Sequence, residues 1–341
     1  MQGMFLRRQT EIGMDGGKLS AISYLKGFSI FTIALLHLIQ RMLAVPARGK
    51  SLALAGGTGV HVFFLCSGIG LYLSYLKRKT PFAEFLKRRL MKIYVPYILV
   101  VLLSFFVPWM YNSDDRLAAL LSHVFLYKMF IPRYNESFGA QLWFVSTIIQ
   151  LYLLFIPMCR LKEKVGGRVF LSIFMLISVL WWILCAATGV SEVRVFKSFC
   201  LQYIWEFAAG FLLAEAFHTG KRYRLNNGAL LLAAVLGMGL QFALSGSDVL
   251  RIFNDVPALI GYTALALLLM NLPKLKAAIV RLSRISYEYY LLHMLVFVTT
   301  FHFIRSESLA VQCLAGLIST GLAIVLSDAY HRVLVRMKIL T

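Results

Sequence analysis

Two ionisable residues near the N-terminus could carry chemistry. Lys26 lies just before the first long apolar segment, and His37 lies within it. They are eleven residues apart, which in an α-helix is about 16 Å along the axis and only about 20° from a whole number of turns. The two side chains therefore share one helix face. The cation could hold a phosphate while the imidazole works on a group at the far end of an extended donor. The structural alternative is a lysine that reaches the membrane surface and a packed histidine.

A second candidate site is a run of basic residues directly before another apolar segment, made up of Lys87, Arg88, Arg89 and Lys92. Arg88 and Arg89 precede Lys92 by four and three residues, so the three share one helical face. Such a cluster can bind phosphates through charge-assisted hydrogen bonds. The alternative interpretation is a topological signal or a contact with anionic lipid headgroups.

Further polar residues lie inside later apolar segments, where each is costly in hydrocarbon and usually faces the interior of a helix bundle. Together they predict a polar internal cavity or a substrate site: Trp143, Gln150, Glu288, Tyr290 and His293. The alternative for each residue alone is packing or an interhelical hydrogen bond, and for Trp143 it is an anchor at the membrane interface. Glu206 is another candidate for a buried carboxylate. The five cysteines and seven histidines lack the spacing of a disulfide framework or a metal site, so no metal is expected.

The elements that must position these residues are membrane helices. Of 341 residues, 60% are hydrophobic and only 15% are charged, and the mean hydropathy is +0.75. A soluble domain has no place for so much apolar surface. The apolar segments predict an all-α polytopic bundle of about ten spanning helices. The segments are 28–45, 58–76, 94–111, 143–159, 169–188, 199–217, 229–244, 256–272, 285–304 and 309–327. Another segment, 117–131, is short for a span and is predicted to be re-entrant or interfacial.

The net charge of +20 fits this topology better than it fits nucleic-acid binding. With the N-terminus inside, 25 of the 35 Lys and Arg residues fall on the inner side, as the positive-inside rule requires. The chain is thus predicted to have both termini in the cytoplasm and membrane lipids around it. Its expected parts are a basic N-terminus (1–27), a membrane bundle (28–327) and a C-terminal tail (328–341).

Several of these segments, in this order, resemble acyltransferase family 3, a family of integral-membrane acyltransferases of sugars and polysaccharides. The resemblance rests on segments 24–38 (YLKGFSIFTIALLHL), 60–74 (VHVFFLCSGIGLYLS), 85–97 (FLKRRLMKIYVPY), 142–155 (LWFVSTIIQLYLLF) and 285–296 (ISYEYYLLHMLV). It implies that His37 is the essential histidine of the family. Lys26 stands where the family usually has Arg, and His61 stands where it often has an acid. Arg89 and Lys92 match its Arg-x-x-Arg pair, with Lys in the second position.

The resemblance implies a membrane O-acyltransferase, more narrowly an O-acetyltransferase of the bacterial inner membrane. Acetyl-CoA would be the donor, with its phosphates on Arg88, Arg89 and Lys92 and with Lys26 nearby. The acceptor would be a hydroxyl group of a cell-surface or lipid-linked carbohydrate. His37 would act as a general base or as a transient acyl carrier.

Two other functions are compatible with the residues alone. One is a transporter or flippase of a lipid-linked sugar, in which His37 and Glu288 relay protons. It predicts ion-coupled movement of substrate and no binding of acyl-CoA. The other is a membrane scaffold, in which His37 and Arg89 tolerate substitution.

Overall fold

The computed structural model describes residues 9–14, 19–247 and 249–340. Arg7, Arg8 and Lys18 of the basic N-terminus lie outside these ranges. The helices are α1 (Ser20–Arg41), α2 (Ala47–Ala53), α3 (Gly59–Lys77), α4 (Phe82–Phe105), α5 (Arg116–Val124), α6 (Trp143–Val165), α7 (Gly167–Ala187), α8 (Arg194–Lys197), α9 (Cys200–His218), α10 (Asn227–Ser245), α11 (Asp255–Leu269), α12 (Pro273–Ser283), α13 (Ser286–Phe303) and α14 (Leu309–Arg336). The predicted all-α class is confirmed.

Several of these helices are long and apolar enough to cross a membrane. Six described segments qualify by length and composition: Ser20–Arg41, Ala47–Lys77, Ala140–Val165, Gly167–Ala187, Asn227–Ser245 and Leu309–Arg336. A seventh is possible if α11 and α12, which meet at a bend of 118°, form one span. The predicted spans in α9 and α13 are helical, and the predicted span 94–111 is α-helical as far as Phe105, where α4 ends. The total of ten spans stays a prediction.

Helix surfaces confirm the membrane environment. On α10, large apolar side chains are exposed, among them Leu231, Leu232, Val235 and Leu236. A contiguous apolar face of this kind would be unfavourable in water, whereas lipid tails cover it at no cost. The protein is therefore an integral membrane protein.

The helix ends differ from the sequence-based expectations. Helix α1 begins at Ser20 and α4 begins at Phe82, before the predicted spans 28–45 and 94–111, so Lys26 and the basic cluster lie within helices, as their predicted helix faces require. Helix α14 continues to Arg336, through most of the predicted C-terminal tail. Apolar content marks only the part of a helix that meets lipid, whereas backbone hydrogen bonding continues past it.

The segment predicted to be re-entrant or interfacial holds the short helix α5 and a single 3-10 turn, Lys128–Phe130. Nine residues make about 14 Å of helix, which is less than half of a hydrocarbon core of about 30 Å. Helix α5 is therefore too short to cross a membrane by itself.

The chain divides into two compact units. The first comprises residues 1–32, 57–80 and 154–284, and the second comprises 33–56, 81–153 and 285–341. Helices α1 and α6 therefore each contribute to both units. Candidate residues fall into both: Lys26 belongs to the first unit and His37 to the second.

In the first unit, glycines let helix pairs approach backbone to backbone. A Cβ atom at Gly68 in α3 would lie 2.2 Å from the carbonyl oxygen of Phe207 in α9, and one at Gly210 would lie 2.6 Å from that of Leu65. Side chains larger than hydrogen would separate α3 from α9. This close approach fixes the register of every other side chain that the two helices bring together.

The first unit also contains two short strands that the all-α prediction did not include. Strand β1 (Gln9–Ile12) pairs antiparallel with β2 (Tyr223–Asn226), with Gln9 opposite Asn226. The side chain of Asn226 accepts hydrogen bonds from the first turn of α10. A two-stranded ribbon this short has little periodic signal, because each strand has only four residues.

Candidate active site

The second unit brings His37 of α1 against His293 of α13. Nδ1 of His37 lies 2.8 Å from Nε2 of His293, and the two rings are nearly parallel, at 11° with centroids 5.1 Å apart. An N···N contact of this length between near-parallel rings fits two imidazoles that meet edge to edge. His293 is fully buried, whereas His37 is half-buried.

The hydrogen bonds of this pair define where its protons are. Nδ1 of His293 lies 2.9 Å from the carbonyl oxygen of Tyr289, and a carbonyl only accepts hydrogen bonds. Nδ1 of His293 therefore carries the hydrogen, and in the neutral ring its Nε2 accepts one from Nδ1 of His37. Nε2 of a neutral His37 is then the nitrogen that holds a lone pair. The geometry thus prepares His37 to take up a proton or to attack an electrophile.

Aromatic rings pack around His293 and hold its orientation. The ring of Tyr289 lies 5.8 Å from that of His293, and Phe297 meets it edge-on at 5.7 Å. Tyr290, one of the predicted cavity residues, lies 6.4 Å away. The phenol of Tyr290 donates a hydrogen bond of 2.5 Å to the carbonyl of Gln141. The rotamer of His293 is thereby restricted by packing as well as by hydrogen bonding.

The loop that supplies the Gln141 carbonyl is built on a buried polar core. Lys128 is fully buried and donates to the carbonyls of Ser137 and Gly139, at 3.2 and 3.1 Å. His123, also fully buried, contacts the hydroxyl of Ser137 at 2.9 Å. The polar residues that make segment 117–131 a poor span therefore stabilise the loop that follows it through hydrogen bonds. That loop in turn positions Tyr290.

Glu288 lies in a different pair from the one that contains His37. Its Oε1 is 2.8 Å from Nδ1 of His331 in α14, and its side chain is 4% exposed. His331 did not stand out in the sequence, because it follows the last apolar segment. The two members of the predicted proton relay, His37 and Glu288, thus belong to two separate hydrogen-bonded pairs.

The remaining predicted cavity residues belong to α6. Trp143 packs edge-on against Phe144, whose ring lies 5.5 Å from that of Tyr290. Gln150 contacts the sulfur of Met129 through Nε2, at 3.9 Å. The ring contacts therefore connect Trp143 to the histidine pair through Phe144 and Tyr290, whereas the described contact of Gln150 leads to Met129.

The basic cluster lies on the first turns of α4. Arg88 is exposed and pairs with Glu84, one turn earlier, at 3.3 Å. Arg89 is half-buried, and its guanidinium lies 5.8 Å from the ring centre of Phe85. Lys92 is also half-buried. The helical face predicted for these residues exists, since α4 is continuous from Phe82 to Phe105, and it holds three cations against one paired carboxylate.

Lys26 lies on α1, like His37, and is half-buried. The helix is continuous between the two residues, so their shared face is retained. Lys26 belongs to the first unit, in which the neighbouring Gly27 packs tightly on α12, since a Cβ there would lie 2.1 Å from the Ile279 carbonyl oxygen. Its part in phosphate binding stays a prediction.

A cavity of about 330 Å³ lies at the C-terminal end of α1. Its lining includes Arg41, His302, Arg305 and Gln312. Arg41 follows His37 by one helical turn, about 6 Å along the axis. Polar and cationic groups thus line a cavity near the end of the helix that carries the candidate base.

Comparison with known proteins identifies one family. Residues 19–328 match the model of acyltransferase family 3, which is described as an acyltransferase domain. The match covers nearly the whole chain and includes every site residue that the sequence predicted. No curated protein and no solved structure matches the chain.

Proposed function

The chain belongs to acyltransferase family 3, and from this premise we propose that it moves an acyl group from acyl-CoA to a hydroxyl group of a carbohydrate. Membership of the family makes the protein an integral-membrane acyltransferase. It also favours acyl transfer over the flippase and scaffold alternatives. The donor, the acceptor and the acetyl group are parts of our proposal, as is a location in the bacterial inner membrane with cytoplasmic termini. The observation that carries the proposal is the hydrogen-bonded His37–His293 pair.

The basic face of α4 supports an anionic donor. CoA carries several phosphate groups, and Arg or Lys side chains bind phosphates through charge-assisted hydrogen bonds. Arg89 and Lys92 are half-buried, so an ion pair with phosphate there would be less screened by solvent than one at the exposed Arg88.

His37 would act as the general base. Its Nε2 takes the proton of the acceptor hydroxyl as that oxygen attacks the thioester carbonyl. A C–O bond forms, the C–S bond breaks, and the leaving thiolate receives the proton from His37, so that the products are the ester and CoA thiol. While His37 is charged, its Nδ1–H donates to Nε2 of His293, and this hydrogen bond strengthens with the charge.

The cavity at the end of α1 is our candidate for the acceptor site. Arg41 and Gln312 contribute to its lining and offer the donors and acceptors that sugar hydroxyls and acidic groups use. Arg41 lies one turn from His37 on the same helix. A carbohydrate bound there would approach the base from the end opposite to Lys26.

The experiment has two parts. Mass spectrometry compares cell-envelope glycans from cells with and without the protein, and we expect a mass difference of one acyl group. The purified full chain is then incubated with isotopically labelled acetyl-CoA and the glycan so identified. Transfer of label by the wild type, its loss in His37→Ala and its retention in the control His218→Ala would support the proposal.

Two outcomes would contradict it. Label transfer by His37→Ala at the wild-type rate would show that His37 is not a catalytic residue. Unchanged glycans, together with no binding of acetyl-CoA by the purified protein, would reject the donor itself. A labelled protein that forms without acceptor and is absent in His37→Ala would assign His37 as an acyl carrier instead of a base.

A further inference from the structure

A second group of ionisable side chains lies in the first unit, apart from the chemistry proposed above. Helices α3, α9 and α11 bring together His61, Glu206 and Asp255. Nδ1 of His61 lies 2.5 Å from Oε1 of Glu206, and Nε2 of His61 lies 3.6 Å from Oδ1 of Asp255. One ligand atom from each of the three residues lies within 4.8 Å of the other two. The carboxylate side chains are 0% and 7% exposed and the imidazole is 14% exposed.

Two acceptor atoms at this cluster have no hydrogen-bond partner among the described residues. One is Oε2 of Glu206, and the other is Oε1 of Gln202. The amide of Gln202 lies at the cluster, because its Nε2 donates to Oδ2 of Asp255 at 2.6 Å. A buried acceptor without a donor is unfavourable. A cation is one kind of ligand that satisfies several such oxygens at once.

The charges favour a cation as well. Two carboxylates contribute two negative charges, and one imidazole contributes at most one positive charge. Burying unbalanced charge is costly, and buried carboxylates are normally paired or bound to a metal. A divalent cation would balance both carboxylates while His61 stays neutral and acts as a nitrogen ligand.

We propose that His61, Glu206 and Asp255 form a binding site for a divalent transition metal of the Zn²⁺ class, with Gln202 as the residue that orients Asp255. One imidazole and two carboxylates are a ligand set that suits Zn²⁺. Zn–N and Zn–O bonds are about 2.0–2.2 Å, so the ring of His61, whose Nδ1 faces Glu206 and whose Nε2 faces Asp255, would turn to present one nitrogen to an ion that both carboxylates reach. The metal would join α3, α9 and α11 within the first unit.

The sequence did not indicate this site, and the expectation from it was that no metal is bound. His61 and Glu206 are 145 residues apart, and Asp255 belongs to a third helix. No short motif can report ligands that three separate helices supply. His61 itself stands where the family often has an acid, so the family motif gives no indication of a nitrogen ligand.

The test uses the full-length protein in detergent and does not depend on acyl transfer. The wild type is equilibrated with Zn²⁺, freed of unbound metal by gel filtration and analysed by plasma mass spectrometry. We expect about one Zn²⁺ per chain and a lower melting temperature after treatment with a chelator. His61→Ala and Glu206→Gln should each lose at least tenfold in affinity for Zn²⁺. His218→Ala, an exposed histidine near the end of α9, is the matched control and should keep the metal.

A spectroscopic measurement on the wild type covers the case in which a variant does not fold. Co²⁺ in place of Zn²⁺ should give visible ligand-field bands that excess Zn²⁺ removes. Absence of metal from the wild type after equilibration, or full occupancy in a folded Glu206→Gln variant, would overturn the proposal. Equal chelator sensitivity of the wild type and the His61→Ala variant would do the same. Loss of metal with acyl transfer retained would uphold this site independently of the proposed function.

Discussion

The two units each hold a buried histidine contact, and their surroundings are opposite. In the first unit, His61 lies between two carboxylates, 2.5 Å from Glu206 and 3.6 Å from Asp255. In the second unit, His37 contacts the uncharged ring of His293, which in turn contacts a backbone carbonyl. The first arrangement places an imidazole beside two carboxylates, whereas the second pairs it with another imidazole.

The difference shows that neighbours, rather than residue type, determine what a histidine can do. Carboxylates favour a charged imidazole or a shared cation, and both states use the lone pair that a base needs. In the second unit, the hydrogen-bond chain runs from His37 through His293 to the carbonyl of Tyr289. It places a hydrogen on Nδ1 of His37 and leaves the lone pair on Nε2. We therefore expect His61 to have a structural role and His37 to have a catalytic role.

The largest expected effect on the rate of acyl transfer is that of removing His37, and His61 provides the comparison. His37→Ala should lower kcat for acyl transfer by about 10²–10⁴-fold, the usual contribution of a general base. His61→Ala should change kcat per folded molecule by less than about tenfold, since the base and its partner are retained. Steady-state kinetics on both purified variants checks this. Equal losses in the two variants would remove the functional contrast between the two histidines.

A smaller effect is expected at His293, which acts on His37 as a positioning residue. His293→Leu removes the acceptor for Nδ1–H of His37 and should lower kcat by about 10- to 100-fold, a typical cost of a misplaced catalytic group. His293→Gln offers an amide oxygen to the same hydrogen and should recover part of the rate. The KM for acyl-CoA should change little in either variant. Identical kcat values for Leu and Gln would show that packing alone, and not the tautomer of His37, matters at this position.

The next prediction disturbs the first unit only. Gly68→Ala would place a Cβ 2.2 Å from the Phe207 carbonyl oxygen, so α3 must move away from α9 and His61 from Glu206. We expect the free energy of unfolding to fall by about 1–3 kcal/mol, as for other overpacked sites. Gly70→Ala is the matched control, because a Cβ at Gly70 meets nothing within 4 Å, and its effect should be under about 1 kcal/mol. Thermal unfolding in detergent measures both. A destabilisation by Gly70→Ala as large as that by Gly68→Ala would argue against close packing as the cause.

The smallest effect is expected from single charges on α4. Arg89→Ala and Lys92→Ala should each raise the KM for acyl-CoA about tenfold, because each removes one charge-assisted hydrogen bond to phosphate. Their kcat values should stay near that of the wild type, since the histidine pair is untouched. Lys87→Ala should leave KM unchanged, because Lys87 is exposed and lies off the helix face that Arg88, Arg89 and Lys92 share. An equal rise in KM for Lys87→Ala would indicate a general electrostatic effect of the basic residues on α4.

Local and additive properties of this protein can be predicted from the sequence alone. Apolar segments of about 20 residues and the asymmetry of basic residues predicted a helical membrane protein, and the ordered motifs predicted its family. The spacing of Arg88, Arg89 and Lys92 predicted their shared face, because a helix repeats every few residues. The count of spans does not follow from hydropathy alone, since α9 and α13 contain buried polar residues that reduce their mean hydropathy.

Which of these residues meet depends on how the helices pack. His37 and His293 are 256 residues apart, and nothing in their local sequences indicates that one accepts a hydrogen bond from the other. The same is true of His61 and its carboxylates, and of Glu288, which pairs with His331. These contacts depend on how closely two helices pack and on how they are rotated relative to each other. Glycines such as Gly68 allow the close approach, because they have no side chain to keep the helices apart. Hydropathy and periodicity describe one helix at a time, whereas the proton positions and the metal ligands depend on pairs of them.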